Sequence, residues 1–168
     1  MEPVHEDNPM HPRAAALIAE LELRPHPEGG YFRELFRSAA QVQPLDGRPP
    51  RAALTTIHFL LVAGQHSRWH RVRSDEVWHF YEGEPLELFW VEGDDLHRAT
   101  LGAGLPGTRS VAVVPAGCWQ AALPAGSHAL VGCTVGPGFD FADFEMVEGG
   151  SGEWERIRRL PGIPRQLA

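Results

Sequence analysis

A chain of 168 residues suits one domain with a core of its own. Its 22 acidic against 15 basic side chains give a formal charge of −7, which disfavours a general nucleic-acid binder. No apolar run approaches the ~18 residues of a membrane-spanning helix, the first residues lack a signal-peptide pattern, and Cys118 and Cys133 are too few for a disulfide framework, so a cytoplasmic protein is expected.

Residues 1–12 carry three prolines and are expected to form a flexible tail. Arg13 to Leu23 places Ala14, Leu17, Ile18 and Leu21 at helical spacing, which predicts one short amphipathic helix ended by Pro25 and Pro27. The Gly29-Gly30 pair permits a tight turn or a close backbone approach. Tyr31 to Ser38 reads as a strand, and residues 39–51, rich in Pro and Gly, as a loop. Ala53 to Ala63 is nearly all apolar, the pattern of a buried strand. Further strands are expected over Glu76–Tyr81, Pro85–Val91, Leu96–Leu101, Val111–Val114, Trp119–Leu123, Ala129–Val135 and Phe139–Val147. Residues 149–168 form a C-terminal extension with one turn of helix near Trp154–Arg159. Many short strands with turn signals between them indicate a mainly β sandwich or barrel, a single domain over residues 13–148.

The chemistry concentrates between Gly64 and Gly83. On a strand, His70 and Val72 share a face. Arg73-Ser74-Asp75 is expected to turn the chain into a second strand antiparallel to the first. That hairpin would set the Glu76 carboxylate opposite the His70 imidazole. The pair is half of a common site for zinc, iron, manganese or nickel, and equally a general acid and base. Trp78 and Phe80 share the face of Glu76 and either fill the core or line a ligand cavity; His79 faces the other way. Both cysteines read as small core residues.

Gly64, five residues, His70, one, Val72, three, Glu76, six, Gly83 resembles the first motif of the cupin superfamily, with Val72 in place of its second histidine. Pro115-Ala116-Gly117-Cys118-Trp119-Gln120 resembles the second motif, with Gln120 in place of its histidine. P-H-P-E-G-G-Y-F-R-E, S-R-W-H-R-V-R-S-D-E-V-W, V-P-A-G-C-W-Q-A-A and G-P-G-F-D-F-A-D-F-E together look like the branch called cupin family five, a domain of unknown function, over roughly Leu23 to Val147. The resemblance implies a double-stranded β-helix, or jelly roll, with one short N-terminal helix and with His70, Glu76 and Gln120 facing one cavity. It also implies a metal centre on those three side chains and position 72. Valine offers no donor atom, and glutamine only an amide oxygen. The expected cofactor is therefore a weakly bound divalent metal on an incomplete ligand set, with His58 or His66 as reserve ligands.

The candidate site thus has His70 and Glu76 as acid and base, and Trp78, Phe80, Gln120, Tyr31 and His79 as ligand-binding side chains. An isomerase- or epimerase-type enzyme acting on a small polar metabolite, sugar- or nucleotide-like, is one expectation. A binding module without turnover and a metal-dependent enzyme are the alternatives. No Gly-rich phosphate loop supports nucleotide hydrolysis. The expected partners are a small-molecule ligand and a second copy of the chain, with neither nucleic acid nor membrane. A strand carrying Tyr31, Phe32 and Phe36 is an aggregation hazard if left open, and a two-fold homodimer is the commonest closed solution.

Overall fold

The computed structural model describes residues 10–168. The first nine residues of the expected tail lie outside that range. His11 and Pro12, its last two, already belong to the first helix, α1 (Pro12–Glu20): His11 Nδ1 accepts the Arg13 N–H at 3.2 Å, and Pro12 opens the first turn, where its missing N–H is no loss. The strands are β1 (Arg24–Pro25), β2 (Tyr31–Arg37), β3 (Gln41–Val42), β4 (Arg51–Ala52), β5 (Thr55–Val62), β6 (Ser67–Val72), β7 (Asp75–Gly83), β8 (Leu86–Glu92), β9 (Asp95–Leu101), β10 (Val111–Val114), β11 (Trp119–Pro124), β12 (His128–Gly136) and β13 (Phe144–Met146); a second short helix, α2, spans Gly152–Ile157.

Two antiparallel sheets face each other, one of six strands in the order β1-β2-β5-β12-β7-β10 and one of five in the order β13-β6-β11-β8-β9. This is the jelly roll the motifs imply. Inward-facing Phe59, Leu61, Trp78, Leu88, Leu101 and Val131 meet between the sheets as the main core. Leu60 and Val62 of β5 and Leu130 of β12 point outward and are covered by Ala14 and Leu17 of α1. Both faces of β5 are therefore buried, which is why its sequence is apolar without alternation. The outer face of the smaller sheet is covered in the same way. Ile157 of α2 and Leu167 pack on Trp69, Phe89 and Trp119, and the Trp69 indole N–H donates to the Leu167 carbonyl at 2.9 Å. No helix among the described residues is long and apolar enough to cross a membrane.

Two sequence expectations change. Strands β6 and β7 are not a hairpin: β6 pairs with β11 and β13, whereas β7 pairs with β10 and β12. The two residues between them carry the chain from one sheet to the other, so His70 and Glu76 face the same cavity from opposite sheets. The last strand is also shorter than Phe139–Val147. Asp140 accepts the Ala142 N–H at 2.8 Å and turns Phe141–Asp143 into a 3-10 helix, leaving only Phe144–Met146 extended.

That turn is anchored by charge. Asp143 is buried and takes Nε and Nη2 of Arg51 at 2.8 and 2.9 Å and Nη1 of Arg48 at 3.0 Å, the latter also donating to Ser74 at 3.1 Å. The loop expected over 39–51 is thereby pinned, with β3 and β4 paired inside it. Removing the shared carboxylate strands the buried Arg51 guanidinium and leaves Arg48 with Asp46 as its carboxylate partner. Asp143→Ala is expected to cost ~3–5 kcal/mol, read as a fall of roughly 10 °C in the thermal midpoint. A shift within 2 °C would mean that the pair is solvated.

Candidate functional site

A cavity of about 270 Å³ opens between the sheets, walled by β2, β5, β6, β7, β12, β13 and the Phe139–Asp143 turn. At ~30 Å³ each it has room for roughly nine waters. His70 and Glu76 both line it, and so does a residue the motif spacing did not single out, Glu28.

Glu28 reaches the cavity through the turn after α1. Gly29 and Gly30 have φ of 110° and 71°, and a Cβ at either would lie 2.3 Å from the His66 carbonyl or 2.6 Å from the Leu60 carbonyl. Only glycine allows so close an approach at those angles. The turn is tied down by His26 N–H to Gly30 O (2.9 Å), Gly29 N–H to His26 O (3.0 Å) and Arg68 N–H to Glu28 O (2.8 Å). The P-H-P-E-G-G run is thus a device for inserting a carboxylate beneath the sheet edge. The Gly pair was its legible signal.

Proton positions follow from the partners. His70 Nδ1 lies 2.7 Å from the Arg68 carbonyl, an acceptor only, so Nδ1 carries hydrogen. His70 Nε2 lies 3.1 Å from Glu28 Oε2. Ser67 Oγ donates to Glu28 Oε1 at 2.9 Å. Burial pushes the Glu28 carboxyl up to about 8 and holds the His70 imidazole below its ordinary range. Near neutrality the pair holds one proton, on Glu28 Oε2 and donated to His70 Nε2. His26 accepts the Glu28 N–H on Nδ1 at 3.2 Å, which leaves its proton on Nε2. Burial, then the neighbouring His70, lowers His26 to about 4 and keeps it neutral.

Glu76 Oε2 accepts from Gln120 Nε2 at 2.5 Å, and Gln120 Oε1 accepts from the Trp78 indole at 3.0 Å. Trp78 admits only that orientation of the amide, since an indole N–H can only donate. Burial raises Glu76 to about 7, with the Glu28 charge adding to the rise and His70 opposing it. Cys133 lines the wall beside Glu76 with its thiol raised, first by burial.

The other candidate residues sort by face. Gln120 and Trp78 are fully buried behind Glu76 and orient it without lining the cavity; Phe80 packs into the main core. His79, in register with Val111 and Gly132, is on the outer face of the six-stranded sheet. Tyr31 packs outward against the α1 cluster, and its neighbour Phe32 lines the cavity instead. The remaining aromatic wall, Phe139, Phe141 and Phe144, comes from the turn expected to be a strand.

A metal centre does not fit these side chains. Val72 lines the cavity with no donor, both ends of the Gln120 amide are committed, and His70 Nε2 is held by Glu28. Neither reserve ligand arrives. His58 packs edge-on against Tyr81 with ring centroids 5.8 Å apart, and His66 lies by Trp69 and Trp154. Among the described residues no three His, Cys, Asp or Glu side chains are grouped to hold a metal ion. Protein dialysed against chelator is expected to stay folded with metal far below one per chain after gel filtration. The Val72→His, Gln120→His double variant should bind more. Near-stoichiometric metal in the natural chain would overturn this.

The family model for the cupin superfamily (DUF985) matches residues 15–147. A crystal structure of a protein from Shewanella oneidensis superposes with a TM-score of 0.74 and 37% identity, covering 80% of this chain and 84% of that one. A hypothetical protein from Leishmania major gives a TM-score of 0.79 at 32% identity, covering 92% and 98%. Oxalate decarboxylase from Bacillus subtilis shares the fold at 17% identity, with a TM-score of 0.56 over 83% of this chain and 37% of that one. No curated protein matches the chain.

Proposed function

The chain belongs to the DUF985 family of the cupin superfamily, and from the cavity we propose an isomerase- or epimerase-type enzyme that moves a proton on a small molecule. The observation that carries this reading is the floor of the cavity: His70, Glu28 and Glu76 converge there with two carboxyls raised to about 8 and 7. Groups that titrate near neutrality are suited to give and take protons at working pH. Glu76 is the base and the Glu28–His70 pair the acid. The Glu76 carboxylate takes the proton from the carbon next to a carbonyl. The C–H electron pair moves into the new C–C π bond, and the carbonyl π pair moves onto oxygen, which takes the proton of the Glu28–His70 pair. Return of the proton to the other face of that carbon regenerates the carbonyl. Where that carbon bears a hydroxyl, the proton can instead go to the former carbonyl carbon as the hydroxyl loses its proton and becomes the new carbonyl. No oxidant or reductant is needed. The sequence has no lysine, so no lysine side chain can form an imine with the carbonyl.

The test is deuterium uptake. Carbonyl compounds incubated with the protein in D2O are expected to gain deuterium at the carbon next to the carbonyl, read by mass spectrometry. Compounds that bind yet never exchange would overturn the enzyme reading and leave a binding module.

A two-fold dimer belongs to the same reading. Beyond Tyr31 and Phe32, which pair with β1, no strand among the described residues pairs with the outer edge of β2, and Leu35 and Phe36 are exposed. An open apolar edge is closed most simply by a second copy. Light scattering at micromolar concentration is expected to return twice the 18.6 kDa chain mass; a single-chain mass would count against it. The free thiols of Cys118 and Cys133 suit a reducing, cytoplasmic setting.

A further inference from the structure

The polar atoms around Glu28 and His70 are almost all taken. Glu28 Oε1 holds Ser67 and Oε2 holds His70; Glu76 Oε2 holds Gln120; His26 Nδ1 holds the Glu28 N–H; Thr55 Oγ1 accepts the Phe139 N–H at 2.9 Å. What remains for a ligand beside His70 is one acceptor, Glu76 Oε1, shared with the Cys133 thiol, and one donor, the His26 Nε2–H, which has no acceptor among the described residues. The second Asp140 oxygen, the Thr55 O–H and Arg37 Nη1 also line the wall. The rest of the wall is apolar, with Phe32, Ile57, Val135, Phe139 and Phe144 around the space.

Charge points the same way. Arg37 is the one cationic side chain lining the cavity among the described residues, and Glu34 holds it through both oxygens at 2.9 and 2.8 Å. Glu28, Glu76 and Asp140 also line the space. An anionic ligand would be buried against carboxyl groups, and the one lining cation, Arg37, already has its charge paired with Glu34. A sugar would bury several hydroxyls for which few partners remain.

We infer that the cavity takes an uncharged carbonyl compound with an aromatic or branched apolar body, its oxygen between the His26 Nε2–H and the Glu28–His70 pair that supplies its proton, and its adjacent C–H towards Glu76. This replaces the sugar- or nucleotide-like ligand expected from the sequence, and it rests on the proton-transfer reading above. A neutral imidazole N–H is a suitable partner for a carbonyl oxygen that gains charge during proton removal. His26 is then the specificity-determining donor, and the Phe139–Phe144 turn supplies the apolar contact.

Calorimetric titration at pH 7 of the full chain with acetophenone, benzoate, toluene and D-glucose tests the class. Acetophenone is expected to bind at least ~10-fold tighter than benzoate or D-glucose. Equal or tighter binding of benzoate or D-glucose, or no binding of acetophenone, would overturn the inference. His26→Phe keeps a ring but removes the donor: acetophenone should weaken by ~10-fold with toluene unchanged, and equal loss for both would refute the role of the N–H. Glu34→Gln, an exposed change that frees Arg37, should tighten benzoate several-fold and leave acetophenone alone; no gain for benzoate would refute the charge argument. The two readings separate cleanly. Acetophenone bound without deuterium uptake at its methyl group keeps the ligand class and removes the enzyme. Deuterium uptake into a sugar but not acetophenone keeps the enzyme and removes the class.

Discussion

Glu76→Gln is expected to slow deuterium uptake by ~10²–10⁴-fold, the usual worth of a positioned general base, with ligand affinity and fold retained. The amide can take the place of the carboxylate because its oxygen still accepts the Gln120 N–H that Oε2 now receives at 2.5 Å. What is lost is the ability to hold the abstracted proton. Glu28→Gln makes the complementary test. Its oxygen would accept from Ser67 and its NH2 would donate to His70 Nε2, reproducing the protonated pair without a transferable proton. Uptake should fall with Glu28→Gln as well, and the double variant should be little worse than either single one, since acid and base act in one step. Uptake by Glu76→Gln at the natural rate would make Glu76 a scaffold residue and move the base elsewhere.

Much of this was legible because the chain's local signals agree with its fold. The alternation of Leu86, Leu88 and Trp90, the apolar run of β5 and the positions of Gly64, Gly83, Pro115 and Gly117 locate the strands and the jelly roll. His70 and Glu76 were correctly brought to one cavity, though by the wrong path. Periodicity reports which face a side chain takes, but two strands joined by a short polar turn look alike in sequence whether they pair or cross between sheets. Glu28 was missed because its partners, Ser67 and His70, lie about forty residues away, and only the backbone approach at Gly29 and Gly30 hints that the turn is buried. The aromatic wall was misjudged for another reason. Phe139 and Phe141, like Phe144 and Met146, are spaced two apart as in a strand, but the buried Arg48–Asp143–Arg51 cluster and the Asp140 turn override that preference. Tyr31 and Phe32 show the cost of a one-residue choice of face. The helix α1 covers the outer face and claims the tyrosine, which leaves the phenylalanine for the cavity.

The protein is expected to lose ~3 kcal/mol of stability between pH 6.5 and 8.5 through the cavity carboxyls. Glu28 and Glu76 have folded values of about 8 and 7 against an ordinary 4.5. The folded state therefore binds more protons than the unfolded chain, and the stability present below pH 4.5 is lost as pH rises through 7 and 8. The histidines act in the opposite sense. His26 falls to about 4 and His70 is also lowered, so both favour the folded state above their ordinary 6.5 and withdraw that support as pH falls. Between pH 4.5 and 6.5 the lowered imidazoles oppose the raised carboxyls and offset part of the carboxyl loss. Above 6.5 the imidazoles are neutral in both states, and only the carboxyl loss remains. Urea unfolding at pH 6.0 and 8.5 measures it as a drop in midpoint at unchanged slope. Glu28→Gln should remove most of the drop, because the Glu28 window above 6.5 is the wider of the two. A natural chain equally stable at both pH values would mean that the carboxyls ionise without penalty. Water would then reach Glu28 and Glu76 freely, and neither would hold a proton for catalysis near neutrality.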